Sequence, residues 1–436
     1  MLISPIKRIS MKINKLLLVA FSVVMTLDAS AQTTRNEMRK DIYRTGSNYF
    51  AYPEPRQQNL TPSPKGYEPF YIFHYARHGS RYMSNNSYYE TAINMLDSAK
   101  NVGLLSEKGN EVLGKLRIGY ADAWHRDGDL TALGGRQHRE IAQRMMKRFN
   151  TLLSQPLYVD AKSSTSRRCM LSMFNFCTEL QSLNPSLDIQ MDASKRDMKF
   201  VVEDLSRKPK PTPQSDALWK QAGEWFERAH DPRRLMASLL TDTSRVSLSF
   251  SGRILMEALY NVAQDLQNVP ELNISLIEIF TPDELFNMWQ GYNMSWLIDT
   301  GLVPGSAPYY HIIDEVVDSI VANADRVIKE GKSKLTLRFS HDSSVLPLAY
   351  FLGLKEAMGA TENLSSLYKH ISIDKIIPMA ANIQIVFYRK NNSDDILVKF
   401  LLNENETSIP ALKSDITPYY HWEDVKSHIQ KVRMNL

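Results

Sequence analysis

At 436 residues the chain exceeds the roughly 100–200 residues of an ordinary domain, which predicts one large domain with an insertion, or two domains. Hydrophobic residues at 43% and charged residues at 23% exclude a disordered or fibrous chain. The net charge of +4, most of it carried ahead of Leu16, is too small to suggest a nucleic-acid partner.

The N-terminus reads as an export signal. Lys7, Arg8, Lys12 and Lys15 precede an apolar run from Leu16 to Leu27, and Ala29-Ser30-Ala31 supplies a small-residue cleavage site before Gln32. Met11 is an alternative start, since Lys12 and Lys15 still make a basic region. The run is shorter than the about 20 residues of a membrane span, and no later stretch is apolar enough to serve as one. No cysteine stands at the cleavage point, so there is no sign of a lipid anchor. With the leader removed the mature chain is close to neutral, and any affinity for anions has to come from local clusters. The expected location is exported, either periplasmic or secreted.

The elements follow in chain order. Residues 53–68, rich in Pro and polar residues, predict an extended arm. Phe70 to Tyr75 is an aromatic and β-branched run without a breaker, a strand that leads directly into Arg77-His78-Gly79. A helix is expected over Gln137–Asn150, then a second strand over Leu157–Ala161, which runs into Arg167-Arg168 and an apolar helix from about Cys169 to Leu180. Cys169 and Cys177 are the two cysteines of the chain. On one helix they would be separated by about 12 Å of rise, too far for a disulfide, and an exported chain without disulfides fits a bacterial periplasm. Residues 206–216 read as a linker into a mainly helical stretch that ends near 330, with helices over Trp219–His230, Leu255–Gln267, Pro282–Thr300 and Tyr310–Glu330. Lys334–Phe339 is a third strand, ending on Ser340-His341-Asp342. Asn382–Lys390 and Ile396–Asn403 are strands joined by a polar turn at residues 391–395.

Strands at both ends of the chain, alternating with helices, predict an α/β fold: a mostly parallel sheet flanked by helices, with a helical insertion forming a cap. The catalytic core is expected over about 65–185 and 331–436, and the insertion over about 190–330. In such sheets the ligand crevice lies beyond the carboxyl ends of the strands. All three charged clusters fall where a strand is expected to end.

The chemistry of those clusters suits phosphate esters, whose cleavage requires a nucleophile, neutralisation of the phosphoryl oxygens and an acid for the departing alkoxide. His78 can attack phosphorus through an imidazole nitrogen. The guanidinium groups of Arg77 and Arg81 can bracket the same phosphoryl group, Gly79 allows close backbone approach, and Arg168 can complete the anion cradle. His341 can hydrogen-bond the phosphoryl oxygens, while Asp342 can protonate the leaving oxygen and later activate water. No metal and no cofactor is required by this chemistry.

Taken together, these motifs resemble the histidine acid phosphatases. RHGSRY is similar to the family's RHGxRxP signature, and FSHDSSVLPLAYFLGL to its second signature. Arg168 in SRRCMLSMF resembles the third phosphate-binding arginine, with its usual Ser four residues on. DGDLTALGGRQH is similar to the LTxxG segment, and PMAANIQIVFY and VKFLLNE to the C-terminal strands. The matches span about 70–404. Tyr82 and VKFLLNE look closest to the multiple inositol-polyphosphate phosphatases, which implies phytate-like substrates and no metal. Two departures stand out. Met83 replaces the family's Pro, and His341-Asp342-Ser343 follows the HD pattern of bacterial phytases and glucose-phosphatases where the inositol-polyphosphate branch usually carries HAE.

Other polar residues have plainer readings. His74 is expected in the core, and His125 and His138 at the surface or in capping roles. Of Arg167 and Arg168 only one should face the pocket, and the resemblance selects Arg168. The stretch from Trp289 to Trp296 suits core packing, and Arg207, Lys208 and Lys210 a solvated loop. The expected function is hydrolysis of phosphomonoesters, inositol polyphosphates first. A sugar-phosphate or broad acid phosphatase is the alternative, and an inactive phosphate-binding protein the third reading. Small phosphate esters are the expected partners, and the sequence sets no oligomeric state.

Overall fold

The computed structural model describes residues 34–247, 251–307, 310–391 and 393–435. The expected leader over residues 1–31 lies outside them.

Eight strands form one sheet: β1 Tyr67–Arg77, β2 Tyr158–Ser163, β3 Asp188–Asp192, β4 Lys334–Ser340, β5 Asn382–Lys390, β6 Ile396–Leu402, β7 Asn405–Thr407 and β8 Tyr419–His421. Their order is β3-β2-β4-β1-β5-β6-β7, with β8 also paired to β6. The sheet expected from the sequence is present, but its parallel part is confined to β3, β2, β4 and β1. The C-terminal strands β5 to β8 extend it in antiparallel fashion, because tight turns can link antiparallel neighbours whereas a parallel pair needs a long crossover. One such turn is Asn403-Glu404 between β6 and β7, with φ of 50° and 62°, the left-handed pair that a two-residue hairpin demands.

Both faces of the sheet are covered, and so β1 reads as a continuous apolar run. Phe73 and Tyr75 on one face join a core with helices Pro282–Asp299, Asp314–Glu330, Asp342–Phe351 and Trp422–Asn435. Ile72 and Ala76 on the other pack with helices Ala132–Arg148 and Arg167–Leu183. A third apolar cluster joins helices Ser87–Asn101 and Glu107–Ala123 to helix Arg253–Asp265. The helical part therefore draws on the chain before β2 as well as on the expected stretch over about 190–330.

Local chemistry sets the helix ends. Thr131 accepts a hydrogen bond from Gly134 N–H and starts a helix five residues earlier than its apolar periodicity suggests. Thr212 with Ser215, and Thr281 with Glu284, form capping boxes followed by proline at the first helical position. Gly331, at φ 66°, ends the Asp314–Glu330 helix in the left-handed conformation.

Candidate active site

The parallel register of β1 on β4 sets Arg77 opposite Ser340, so the Arg77-His78-Gly79 and His341-Asp342 segments leave the sheet side by side. On the other flank of β4, Ser163 lies opposite Phe339, and the chain turns through Ser164 into the helix that bears Arg168. The three expected clusters thus meet at the carboxyl ends of adjacent parallel strands.

The loop after β1 is held by hydrogen bonds on every side. His78 N–H donates to Ser340 O (3.0 Å), and His78 O accepts from Ala380 N–H (2.9 Å). Gly79 N–H donates to Ser172 Oγ (3.1 Å), which itself donates to Arg168 O (2.8 Å); this is what the serine four residues after Arg168 does. Gln137 accepts from Ser80 N–H (2.9 Å) and donates to Ser80 Oγ (2.9 Å). Gly79 and Gly134 let two backbones touch. A Cβ on Gly79 would lie 2.4 Å from Gly134 O, and one on Gly134 2.2 Å from Ser80 O.

His78 is buried, and its Nδ1 lies 2.9 Å from Gly79 O. A carbonyl oxygen can only accept, so Nδ1 carries the hydrogen and Nε2 keeps a bare lone pair. Burial, reinforced by Arg77, Arg81, Arg168 and His341, holds the imidazole pKa well below its usual value. Its ring stands 5.7 Å from that of His341, edge to face. Arg168 Nη2 donates to His341 Nδ1 (3.3 Å), and His341 Nε2 meets Ser164 Oγ (3.0 Å). Burial, with Arg168 next to it, lowers the His341 pKa to about 4.

Arg77, with its side chain 0% exposed, forms an ion pair with Asp342 Oδ2 at 2.8 Å. Its Nη1 donates to the carbonyls of Asn48 (2.5 Å) and Ile377 (2.8 Å). Asp342 also accepts from Asn48 Nδ2 on Oδ2 (2.9 Å) and from Ser343 N–H on Oδ1 (3.0 Å). Burial opposes its charge, but Arg77, the Asn48 amide, Arg81 and His341 outweigh it and lower the carboxyl to about 2. Arg81 donates to Tyr82 O (2.8 Å) and stacks over the Tyr49 ring at 4.9 Å. Arg168 is half-buried, whereas Arg167 is exposed and paired with Asp129 at 2.9 Å, so the two neighbours face opposite ways.

All six candidates, Arg77, His78, Arg81, Arg168, His341 and Asp342, are brought together. Sequence reasoning missed Asn48, Tyr49, Gln137 and Ser164, which hold them, and had Ser172 only as a motif position without a role. It also missed Asp265, a buried carboxyl that burial raises to about 7 against the attraction of Arg81. His138, expected at the surface or as a cap, is fully buried, with its ring against Phe339 and Phe176. His74 lies in the core as expected, stacked on Phe176, and neither ring nitrogen has a hydrogen-bond partner among the described residues. His125 is exposed. Met83 takes the place of the family proline by filling the helical cluster, 1% exposed. Cys169 and Cys177 are buried and unpaired. Among the described residues no group of three or more His, Cys, Asp or Glu is arranged to hold a metal ion, and no helix is long and apolar enough to cross a membrane.

A buried histidine ringed by three arginines and facing a His-Asp pair, on an α/β sheet covered by helices, is the arrangement that the motif resemblance to the histidine acid phosphatases implies. Residues 310–403, which include β4 and the His341-Asp342 pair, match the family model described as histidine phosphatase superfamily (branch 2). The multiple inositol polyphosphate phosphatase of Bifidobacterium longum has the same fold. Its apo form and its complex with inositol hexasulfate align with TM-scores of 0.75 and 0.74 at 19% identity, covering 88% of this chain and 97% of that one. The phytase of D. castellii aligns with a TM-score of 0.66 at 14% identity, covering 90% of this chain and 85% of that one. No curated protein matches the chain by sequence. The family match over residues 310–403 and the shared fold agree with the motif resemblance to the histidine acid phosphatases.

Proposed function

We propose that the chain is an exported phosphomonoesterase that works through a phosphohistidine on His78 and acts on inositol polyphosphates. The observation that carries this reading is the tautomer of His78. With Nδ1–H given to Gly79 O, the unprotonated Nε2 is the available nucleophile, in a site where Arg77, Arg81 and Arg168 supply positive charge.

In the first step Nε2 attacks phosphorus in line, the N–P bond forms and the P–O ester bond breaks. Asp342 passes a proton to the departing alkoxide. In the second, Asp342 as carboxylate takes a proton from water, the water oxygen attacks phosphorus, and the N–P bond breaks to release phosphate and neutral His78. The arginines stabilise the equatorial oxygens throughout. A carboxyl held at about 2 is ionised before substrate binds. An incoming phosphoryl group shares the same arginines and adds like charge, and both effects raise the Asp342 pKa toward what a proton donor needs.

The inositol-polyphosphate preference is supported by the fold shared with the B. longum enzyme, solved with inositol hexasulfate, and by the motif resemblance. Export is supported by the sequence of residues 1–31 alone. A second reading, a sugar-phosphate or broad acid phosphatase, is favoured by the pairing of cations outside the six candidates that could otherwise attract a polyphosphate. Arg167 is held by Asp129, Arg207 by Asp204, Asp314 and Glu315, and Lys208 by Asp299, whereas a hexakisphosphate calls for spare cations.

The deciding experiment is phosphate release from inositol hexakisphosphate, glucose 1-phosphate and an aryl phosphate, in EDTA, by the mature chain and by its His78→Ala variant. Preferred release from the inositol ester, lost in the variant, is the expected result. Turnover of the other two esters alone moves the function to the broad phosphatase, and silence on all three revives the phosphate-binding reading.

A further inference from the structure

The segment Ile42–Tyr49 (IYRTGSNY) is wound as tight 3-10 turns and wedged between the helical part and the sheet ends. On the helical side, Thr45 O accepts from Tyr260 OH (2.5 Å), Thr45 Oγ1 from Gln264 Nε2 (3.1 Å) and Tyr49 O from Asn268 Nδ2 (3.0 Å). On the sheet side, Arg44 pairs with buried Asp374 and Phe50 O accepts from Met379 N–H (2.8 Å). Gly46 passes so close to this wall that a Cβ would lie 2.7 Å from Gln267 Nε2.

At the centre of the wedge Ser47 adopts φ 55° and ψ −121°, a conformation that L-residues avoid because it costs backbone strain. Ser47 is 2% exposed, and its Oγ has no hydrogen-bond partner among the described residues. Nothing at Ser47 itself offsets that cost. What the bend delivers is Asn48: its carbonyl receives Arg77 Nη1, and its amide donates to Asp342 Oδ2 at 2.9 Å.

We propose that Asn48 is the positioning residue of Asp342: together with Arg77 Nη2 it places two donors on Oδ2, so that Oδ1, which accepts the single Ser343 N–H and keeps a second lone pair, is the oxygen that carries the proton to the leaving group. The assignment rests on Asp342 as the general acid of the phosphatase reading. Besides Arg77, the charged and titratable groups that face this carboxyl are Arg81, Arg168, His341 and the uncharged thiol of Cys169, and none of them is altered by changing Asn48. A donor to the ionised form stabilises that form, so its removal must raise the Asp342 pKa. A residue that merely supported the fold would leave the titration where it is.

The test is a carbon-13 carboxyl titration of the full mature chain and of its Asn48→Ala and isosteric Asn48→Asp variants, the Asp342 signal being identified by its loss in Asp342→Asn. Alkyl and aryl phosphate turnover is followed over the same pH range. In Asn48→Ala the Asp342 midpoint should rise by about one pH unit, the worth of one hydrogen bond to a charged group, and further in Asn48→Asp, where a second carboxylate faces it. The basic limb of alkyl-ester turnover should move with it, and alkyl esters should lose at least about tenfold more activity than aryl esters. An unmoved Asp342 titration in folded Asn48→Asp overturns the assignment, as do equal losses on both ester types. Absence of turnover in the unaltered chain counts against the phosphatase reading instead, and the titration still decides the role of Asn48.

Discussion

At the scale of the residue, the site separates two titratable groups by surroundings. His78 is kept neutral by burial and by the arginines around it, while Asp342 is kept ionised by Arg77 and Asn48 despite burial. The reaction as read here needs Asp342 protonated at the moment of ester cleavage. Binding of a polyanion should therefore draw a proton into the site. Inositol hexasulfate does not titrate near pH 5, so calorimetric titration at pH 5 in buffers of different ionisation enthalpy should report uptake of a fraction of a proton up to one, and proton release would contradict the electrostatic account. Replacing Asp342 by Asn should slow alkyl-ester turnover by about 10²- to 10⁴-fold and aryl-ester turnover much less. A uniform loss would remove Asp342 from the acid role.

At the scale of the element, the site depends on helix Ala132–Arg148 as much as on the strands. Its first turn touches the His78 loop through Gly134 and Gln137, and its last turns are pinned by Glu404. The Glu404 side chain is 0% exposed, accepts from Arg144 Nε and Nη2 (3.0 and 2.7 Å) and from Tyr52 OH (3.0 Å), and lies 3.6 Å from Arg148 Nη1. The Asn403-Glu404 hairpin aims this carboxylate inward, which gives the VKFLLNE segment a structural role: it ties the N-terminal arm, the helix and the antiparallel half of the sheet together. Neutralising one partner leaves two guanidinium groups facing each other, and breaking such a pair generally costs about 3–5 kcal/mol. Urea denaturation of Glu404→Gln should show a loss of that order. A change below about 1 kcal/mol would mean that the cluster is not a structural lock.

At the scale of the whole molecule, histidines buried without charge make the fold sensitive to acid. Burial lowers His74 and His138 to about 3 and His341 to about 4, and His78 also lies well below its usual value. The unfolded chain binds these protons near pH 6.5, so stability present above pH 6.5 is lost as pH falls toward 3, by up to about 1.4 kcal/mol per pH unit for each group. Asp265, raised to about 7, acts in the opposite sense and offsets one histidine at most. Urea midpoints should fall steadily between pH 6.5 and pH 4, and a His74→Phe, His138→Phe double variant should flatten that slope. An unchanged slope would assign the acid sensitivity to other groups.

The amino-acid sequence by itself singled out the six residues that the structure gathers at the strand ends, because RHGSR, Arg168 and His-Asp are local words that each fall within a few residues of a strand end. It determined the main strands and helices for the same reason, since apolar periodicity and caps are local. It did not determine that half of the sheet is antiparallel, that His138 is buried, or that helices Ser87–Asn101 and Glu107–Ala123 join the helical cluster. Those outcomes follow from which faces find one another on packing. Above all, only the tertiary structure decided what holds the candidate groups. Asn48 reaches Asp342 across 294 positions of chain and Ser172 reaches Gly79 across 93, and hydrogen bonds between residues so far apart leave no spacing in a sequence from which they could be read.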